Sequence, residues 1–178
     1  MEWVVAMKKL IQLQGFSQYD DRIQPSYRNS ACGPTTIYVI LKYLFGQDIA
    51  KDINTLYTLL GTTKIGLFRW RLIKNLQHYL GPDYIVKKCS LKEALKQIDE
   101  GRPVAAKFDK YFTFQWKINP TFKYHWVPLI GYEIVDGELF LIVHDNGGIN
   151  RESQIRKVPY GKNYKVLSFV KIEPRNSK

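Results

Sequence analysis

The hydrophobic period of this chain changes partway along, and that change limits the folds open to it. As far as Ile98, apolar residues recur at three- and four-residue spacing. Ile37, Ile40, Leu41 and Leu44 make one helix face after Cys32-Gly33-Pro34. Pro34 suits a first turn, where its missing N–H has no helical partner, and Gly46 suits the stop. A second helix is expected over residues 48–60, carried by Ile49, Ile53, Leu56 and Leu60. A third is expected over residues 67–80, ended by Gly81-Pro82. Ser90, with Glu93 three residues on, opens a short helix to Ile98 through a capping box.

After that point β-branched and aromatic residues take over. Strands are expected over residues 103–108, 126–134, 138–143 and 164–172, after an early one at 84–88 and a short extended stretch at 10–13. Asp136-Gly137 between two of these runs marks a tight hairpin. Helices first and antiparallel strands later give an α+β layout, with N-terminal helices packed on a C-terminal antiparallel sheet. No linker or repeat divides the 178 residues. One domain over 1–178 is therefore expected, with residues 1–9 and 175–178 frayed.

Composition narrows the chemistry. Two cysteines, Cys32 and Cys89, make no disulfide framework, and with three histidines they leave little for a zinc site. The formal charge of +11 is spread along the chain, with no basic run or nucleic-acid motif, so nucleic acid is not an expected partner. The apolar stretch Trp3 to Met7 precedes Lys8 and Lys9, the reverse of a secretory signal. No apolar run approaches the roughly 20 residues of a membrane span, and a cytoplasmic protein is expected.

Cys32 is the informative residue. It follows a long polar loop at the start of a helix, where backbone N–H groups and the helix dipole favour a thiolate. The same N–H groups suit an oxyanion. A nucleophilic cysteine needs a base, and the base needs an orienting partner. His125 opens one strand of the hairpin, 11 residues before Asp136, and Asp145 closes the other, 8 residues after Gly137. The two therefore fall near the same end of the hairpin. His144 lies there as well, but successive strand residues face opposite ways, so only one of His144 and Asp145 can face His125. Asn146 is an alternative orienter, and Gln18 and Gln24 are alternative oxyanion donors in the loop before Cys32. Cys89 reads as structural and His78 as solvent-exposed. Phe112, Phe114 and Trp116, among lysines just before His125, are candidate substrate contacts or else part of a core strand and its loop.

Three motifs occur in order: Gln18 before Asn29-Ser30-Ala31-Cys32-Gly33-Pro34-Thr35-Thr36, then Tyr124-His125-Trp126-Val127-Pro128-Leu129-Ile130-Gly131-Tyr132, then Val143-His144-Asp145-Asn146-Gly147-Gly148. Together they resemble the bacteriocin-processing, double-glycine peptidase-like family of cysteine peptidases. The interval from Gln18 to Cys32 resembles its standalone branch. The resemblance implies a papain-like fold with Cys32 as nucleophile, His125 as general base and acid, Asp145 as orienter and a glutamine in the oxyanion hole. The context Phe16-Ser17-Gln18-Tyr19-Asp20 favours Gln18 over Gln24. It implies a peptide or peptide-like substrate and no metal or other cofactor. The same thioester chemistry serves acyltransferases, and a domain of this fold without catalysis remains a peptide binder.

Overall fold

The computed structural model describes residues 7–175. The fold is α+β, and its sheet dictates where the candidate residues go. The strands are β1 (Met7–Leu10), β2 (Tyr84–Cys89), β3 (Val104–Asp109), β4 (Tyr124–Val135), β5 (Glu138–Asp145), β6 (Gln154–Pro159) and β7 (Leu167–Pro174). They pair antiparallel in the order β2-β7-β3-β4-β5-β6. The long β4 serves two partners along one edge, β3 with Tyr124 to Leu129 and β1 with Gly131 to Ile134.

The helices are α1 (Cys32–Phe45), α2 (Gln47–Ala50), α3 (Ile53–Leu59), α4 (Arg69–Leu80), α5 (Leu91–Asp99) and α6 (Tyr160–Asn163). α1 is buried on every side from Cys32 to Leu41, because it packs between β4 and α3. Its amphipathic stripe is therefore only part of its apolar surface, as expected of a helix at the centre of a core. Gly46, at φ 85°, ends it as the sequence predicts, and its N–H reaches Lys42 O at 3.0 Å.

Several expectations need correction. Met7 to Lys9, expected to fray, pair with Ile134 to Tyr132, and of the stretch 10–13 only Leu10 lies in a strand. Arg175 is also held, its N–H donating to Asp83 O at 2.7 Å. The expected fraying of 1–6 and 176–178 lies outside the described residues. The helix expected over 48–60 is two helices. Lys51 adopts φ 60°, and Asp52 then caps α3 by accepting from the Thr55 N–H at 3.0 Å. The strand expected from 164 begins at Leu167, after α6. β6 was not expected: it is a charged edge strand with a terminal proline, which carries little apolar alternation. The hairpin at Asp136-Gly137 is as read, with φ of 50° and 78°. So is the Ser90–Glu93 capping box.

Candidate active site

α1 and the β4–β5 hairpin bring the candidate residues to one cleft. Cys32 is the first residue of α1, and Ala31 before it caps the helix with no side-chain hydrogen bond. The first-turn N–H groups are thus left for a charge at Cys32. The helix start is held tightly against its neighbours. A Cβ at Gly33 would lie 2.7 Å from Leu67 Cδ2, so only glycine lets the 66–68 segment approach. Leu67 O in turn accepts from Trp126 Nε1 at 2.9 Å and from the Tyr124 hydroxyl at 3.3 Å, tying that segment to β4.

His125 Nε2 lies 3.1 Å from Asp145 Oδ1. The imidazole is nearly buried and the carboxylate is 1% exposed. With Nε2 engaged by Asp145, Nδ1 is the nitrogen left to serve the thiol of Cys32, which lies beside the ring. The electrostatics follow from this contact. Burial pushes the Cys32 thiol up, but the hydrogen bond and charge of His125, with the Trp126 and Gly33 backbone, bring it below its ordinary value. Burial pulls His125 down, but Asp145 and the Cys32 thiolate raise it to about 9. Asp145 is pushed up by burial, yet His125, Arg156 and Arg151 bring it to about 2. Between the lowered Cys32 pKa and the His125 value of about 9, the favoured state is thiolate, imidazolium and carboxylate in a row.

The alternatives separate cleanly. Gln18 is buried and lines the same cleft, of about 230 Å³, with Cys32, Tyr124, His125, Lys64 and Gly147. Its Nε2 donates to Arg28 O at 2.8 Å and its backbone N–H to Asn146 O at 2.9 Å, so the loop is pinned to the end of the hairpin. Its Oε1 is buried without a hydrogen-bond partner among the described residues. Gln24 is exposed and outside the cleft; its N–H donates to Asn54 Oδ1.

Asn146 makes no hydrogen bond to His125. Its Nδ2 donates to Cys32 O, Thr36 Oγ1 and Trp126 O at 3.1, 3.0 and 2.8 Å, riveting α1 to β4. His144 turns away from the cleft, buried against Gly15, where any Cβ would run into its ring. Cys89 is buried at the end of β2, and burial pushes its thiol up to about 12. His78 is exposed.

Phe112, Phe114 and Trp116 are 51%, 75% and 59% exposed and do not line the cleft. They are loop residues, not part of a core strand. Phe112 reaches the site indirectly, edge-on to Tyr124 at 6.4 Å between centroids.

Two side chains missed in the sequence complete the site. Arg151 Nη2 and Arg156 Nη1 both donate to Asp145 Oδ2, at 2.9 and 3.2 Å. The signal for Arg156 was absent because β6 itself was not legible. Among the described residues no group of three His, Cys, Asp or Glu side chains converges as a metal site. No described helix is long and apolar enough to cross a membrane.

A helix-borne cysteine facing a strand-borne histidine and aspartate across an α+β core defines the papain-like class, and known proteins agree. A family model described as the Peptidase_C39 like family matches residues 10–173, and the chain belongs to that family. Among solved structures, a putative C39-like peptidase from Bacillus anthracis is similar, with a TM-score of 0.62 at 18% identity, over 95% of this chain and 100% of the other. A double glycine motif protease from an AMS/PCAT transporter, in complex with its leader peptide, has a TM-score of 0.56 at 13% identity, over 94% and 95%. UfSP from C. elegans has a TM-score of 0.58 at 12% identity, over 94% of this chain but 34% of that one. No curated protein sequence matches significantly.

Proposed function

We propose that the protein is a cysteine peptidase or amidase that works through a Cys32 thioester, with His125 as base and acid, Asp145 as orienter and Gln18 as oxyanion donor. The observation that carries this reading is the buried His125–Asp145 contact at 3.1 Å beside a thiol whose pKa is lowered at a helix start. The Cys32 thiolate attacks the amide carbonyl carbon. The oxyanion is received by backbone N–H groups at the start of α1 and by the Gln18 amide. As the C–N bond breaks, the His125 imidazolium gives its proton to the leaving amine. Water, deprotonated by His125, then attacks the thioester; the Cys32 thiolate leaves, the carboxylic acid product loses its proton to solvent, and the thiolate–imidazolium pair is restored.

The substrate is a peptide or peptide-like amide, in keeping with the leader peptide held by the similar double glycine motif protease. A chain running out of the cleft past Tyr124 would meet Phe112 first, with Phe114 and Trp116 in the same loop as outer contacts.

The test uses the full chain, iodoacetamide and a degenerate peptide library, with products read by mass spectrometry. One adduct on Cys32 and cleaved peptides are expected, and both are lost in Cys32→Ala. An adduct that forms on Cys89 alone would sink the assignment. Products that form only with an added amine would redirect it to acyl transfer. A labelled Cys32 with no turnover of any peptide would leave a peptide-binding domain.

A further inference from the structure

Asp145 has more partners than one imidazole requires. Its carboxylate is 1% exposed, with Oδ1 on His125 and Oδ2 shared by Arg151 and Arg156. The two guanidinium groups arrive from different segments. Arg156 stands opposite Val143 in the β5–β6 register, which puts it on the same sheet face as Asp145, one diagonal step away. Its guanidinium lies 4.8 Å over the Phe122 ring, and that ring lies 5.0 Å from the ring of His125. Arg151 ends a tight turn closed by two backbone bonds with Gly148, at 2.9 and 3.1 Å. Register, stacking and turn thus aim both cations at one oxygen.

The chemistry of that arrangement is specific. Arginine stays charged at any working pH, so Oδ2 faces two permanent cations. They fix which oxygen is left for His125, and they draw off part of the negative charge that would otherwise act on the imidazole. Among the described residues, the other ionisable groups that line the cleft with the His125–Cys32 pair are Tyr19, the Tyr124 hydroxyl beside Cys32, and Lys64 at the cleft wall. None of them hydrogen-bonds to Asp145.

We propose that Arg151 and Arg156 are positioning residues that lock Asp145 with a single oxygen toward His125 and moderate the charge it imposes on the imidazole. The proposal rests on the reading of Cys32 and His125 as a reactive pair, and the experiment separates the two. The probe is iodoacetamide, and the readout is the rate of Cys32 alkylation against pH in the full chain, with folding followed by thermal melting. In the wild-type chain the rate should rise once as the thiolate forms and again as His125 loses its proton. In Arg151→Gln, Arg156→Gln and the double variant, removing cations beside His125 should move the upper inflection to higher pH, by about one unit in the double variant. Arg156→Lys keeps the charge without the fork and should leave the inflection where the wild type has it.

Folded Gln variants with an unmoved upper inflection would overturn the proposal while leaving the pair intact. A wild-type chain with one inflection at an ordinary thiol pKa would overturn the reactive pair itself. If Arg156→Gln fails to fold, Arg151→Gln, on an exposed turn, carries the same expectation alone.

Discussion

His125 and Asp145 are neighbours because of a β-bulge five residues away from His125. From the turn outward, β4 and β5 pair Val135 with Glu138 and keep that register to Gly131 with Ile142. The next pair is Leu129 with Val143, so Ile130 is an extra residue in β4. Continued past the bulge, this register sets Asp145 opposite Val127, on the face that also carries His125. Without the extra residue, Asp145 would stand opposite Pro128 and face away. Asn146 would take its place opposite Val127.

Gly131, the first residue past the bulge, keeps this arrangement tight. An added Cβ there would collide with the backbone carbonyl of Lys9 and lie 3.1 Å from Leu10 Cα. The two nearest contacts are backbone atoms of β1, which has no flexible end there to give way. Gly131→Ala should therefore destabilise the fold by about 1–3 kcal/mol, by forcing β1 from β4. Urea unfolding checks it, and an unchanged midpoint would refute the claim.

The site also fixes a pH dependence. The thiolate–imidazolium pair exists between the lowered Cys32 pKa and the His125 value of about 9. Amide cleavage needs the imidazolium as acid, so kcat/KM should rise as the thiolate forms at the lowered Cys32 pKa and fall as pH rises through about 9. Folding follows the same sign for His125. Its pKa is raised above the unfolded value, so its stabilising contribution is full below about 6.5 and disappears as pH rises through about 9. Asp145 works the other way: held at about 2, it stabilises above the ordinary carboxylate range and ceases to do so as pH falls through about 2. Melting temperature and initial rates measured across pH would show both edges. A rate that kept rising above pH 9 would contradict the proton donor at His125.

Much of this was legible because it rests on local rules. Cys32-Gly33-Pro34 before a periodic apolar run marks a helix start, and Asp136-Gly137 marks the hairpin that brings His125 and Asp145 to one end. What was hidden depends on tertiary pairing. A bulge at Ile130 leaves no trace in composition, so counting residues from the turn could not choose between His144 and Asp145. β6 is charged because it is an edge, and with it Arg156 escaped notice. Met7 to Lys9 look like a polar terminus but find a partner in the free edge of β4. The break at Lys51 lay in the Asp52–Thr55 cap, a signal present in the sequence and overridden by the apolar period around it.

Asn146 is the alternative partner of His125 in the sequence, and the structure places it elsewhere. One amide supplies Cys32 O, Thr36 Oγ1 and Trp126 O, all in the buried seam between α1 and β4. Asn146→Ala would strand these acceptors without water, at a cost of about 2 kcal/mol or more. Asn146→Asp should be worse, since a carboxylate oxygen would then face two carbonyl oxygens. The expected signature is a lowered unfolding midpoint in both variants. Full stability with a lost reaction would instead return Asn146 to a chemical role.

Gln18 can be tested by comparing two reactions of the same thiol. Alkylation by iodoacetamide occurs at a saturated carbon and develops no oxyanion, whereas attack on a peptide carbonyl does. If the Gln18 amide stabilises that oxyanion, Gln18→Ala should lower kcat on a peptide by ~10²–10³-fold, with KM little changed. The alkylation rate of Cys32 should stay close to that of the wild type. Gln18 also bonds Arg28 O, so a purely structural role predicts a different outcome: the loop loosens, and alkylation and peptide cleavage change together. A split between the two rates supports the oxyanion donor, and a parallel fall removes it.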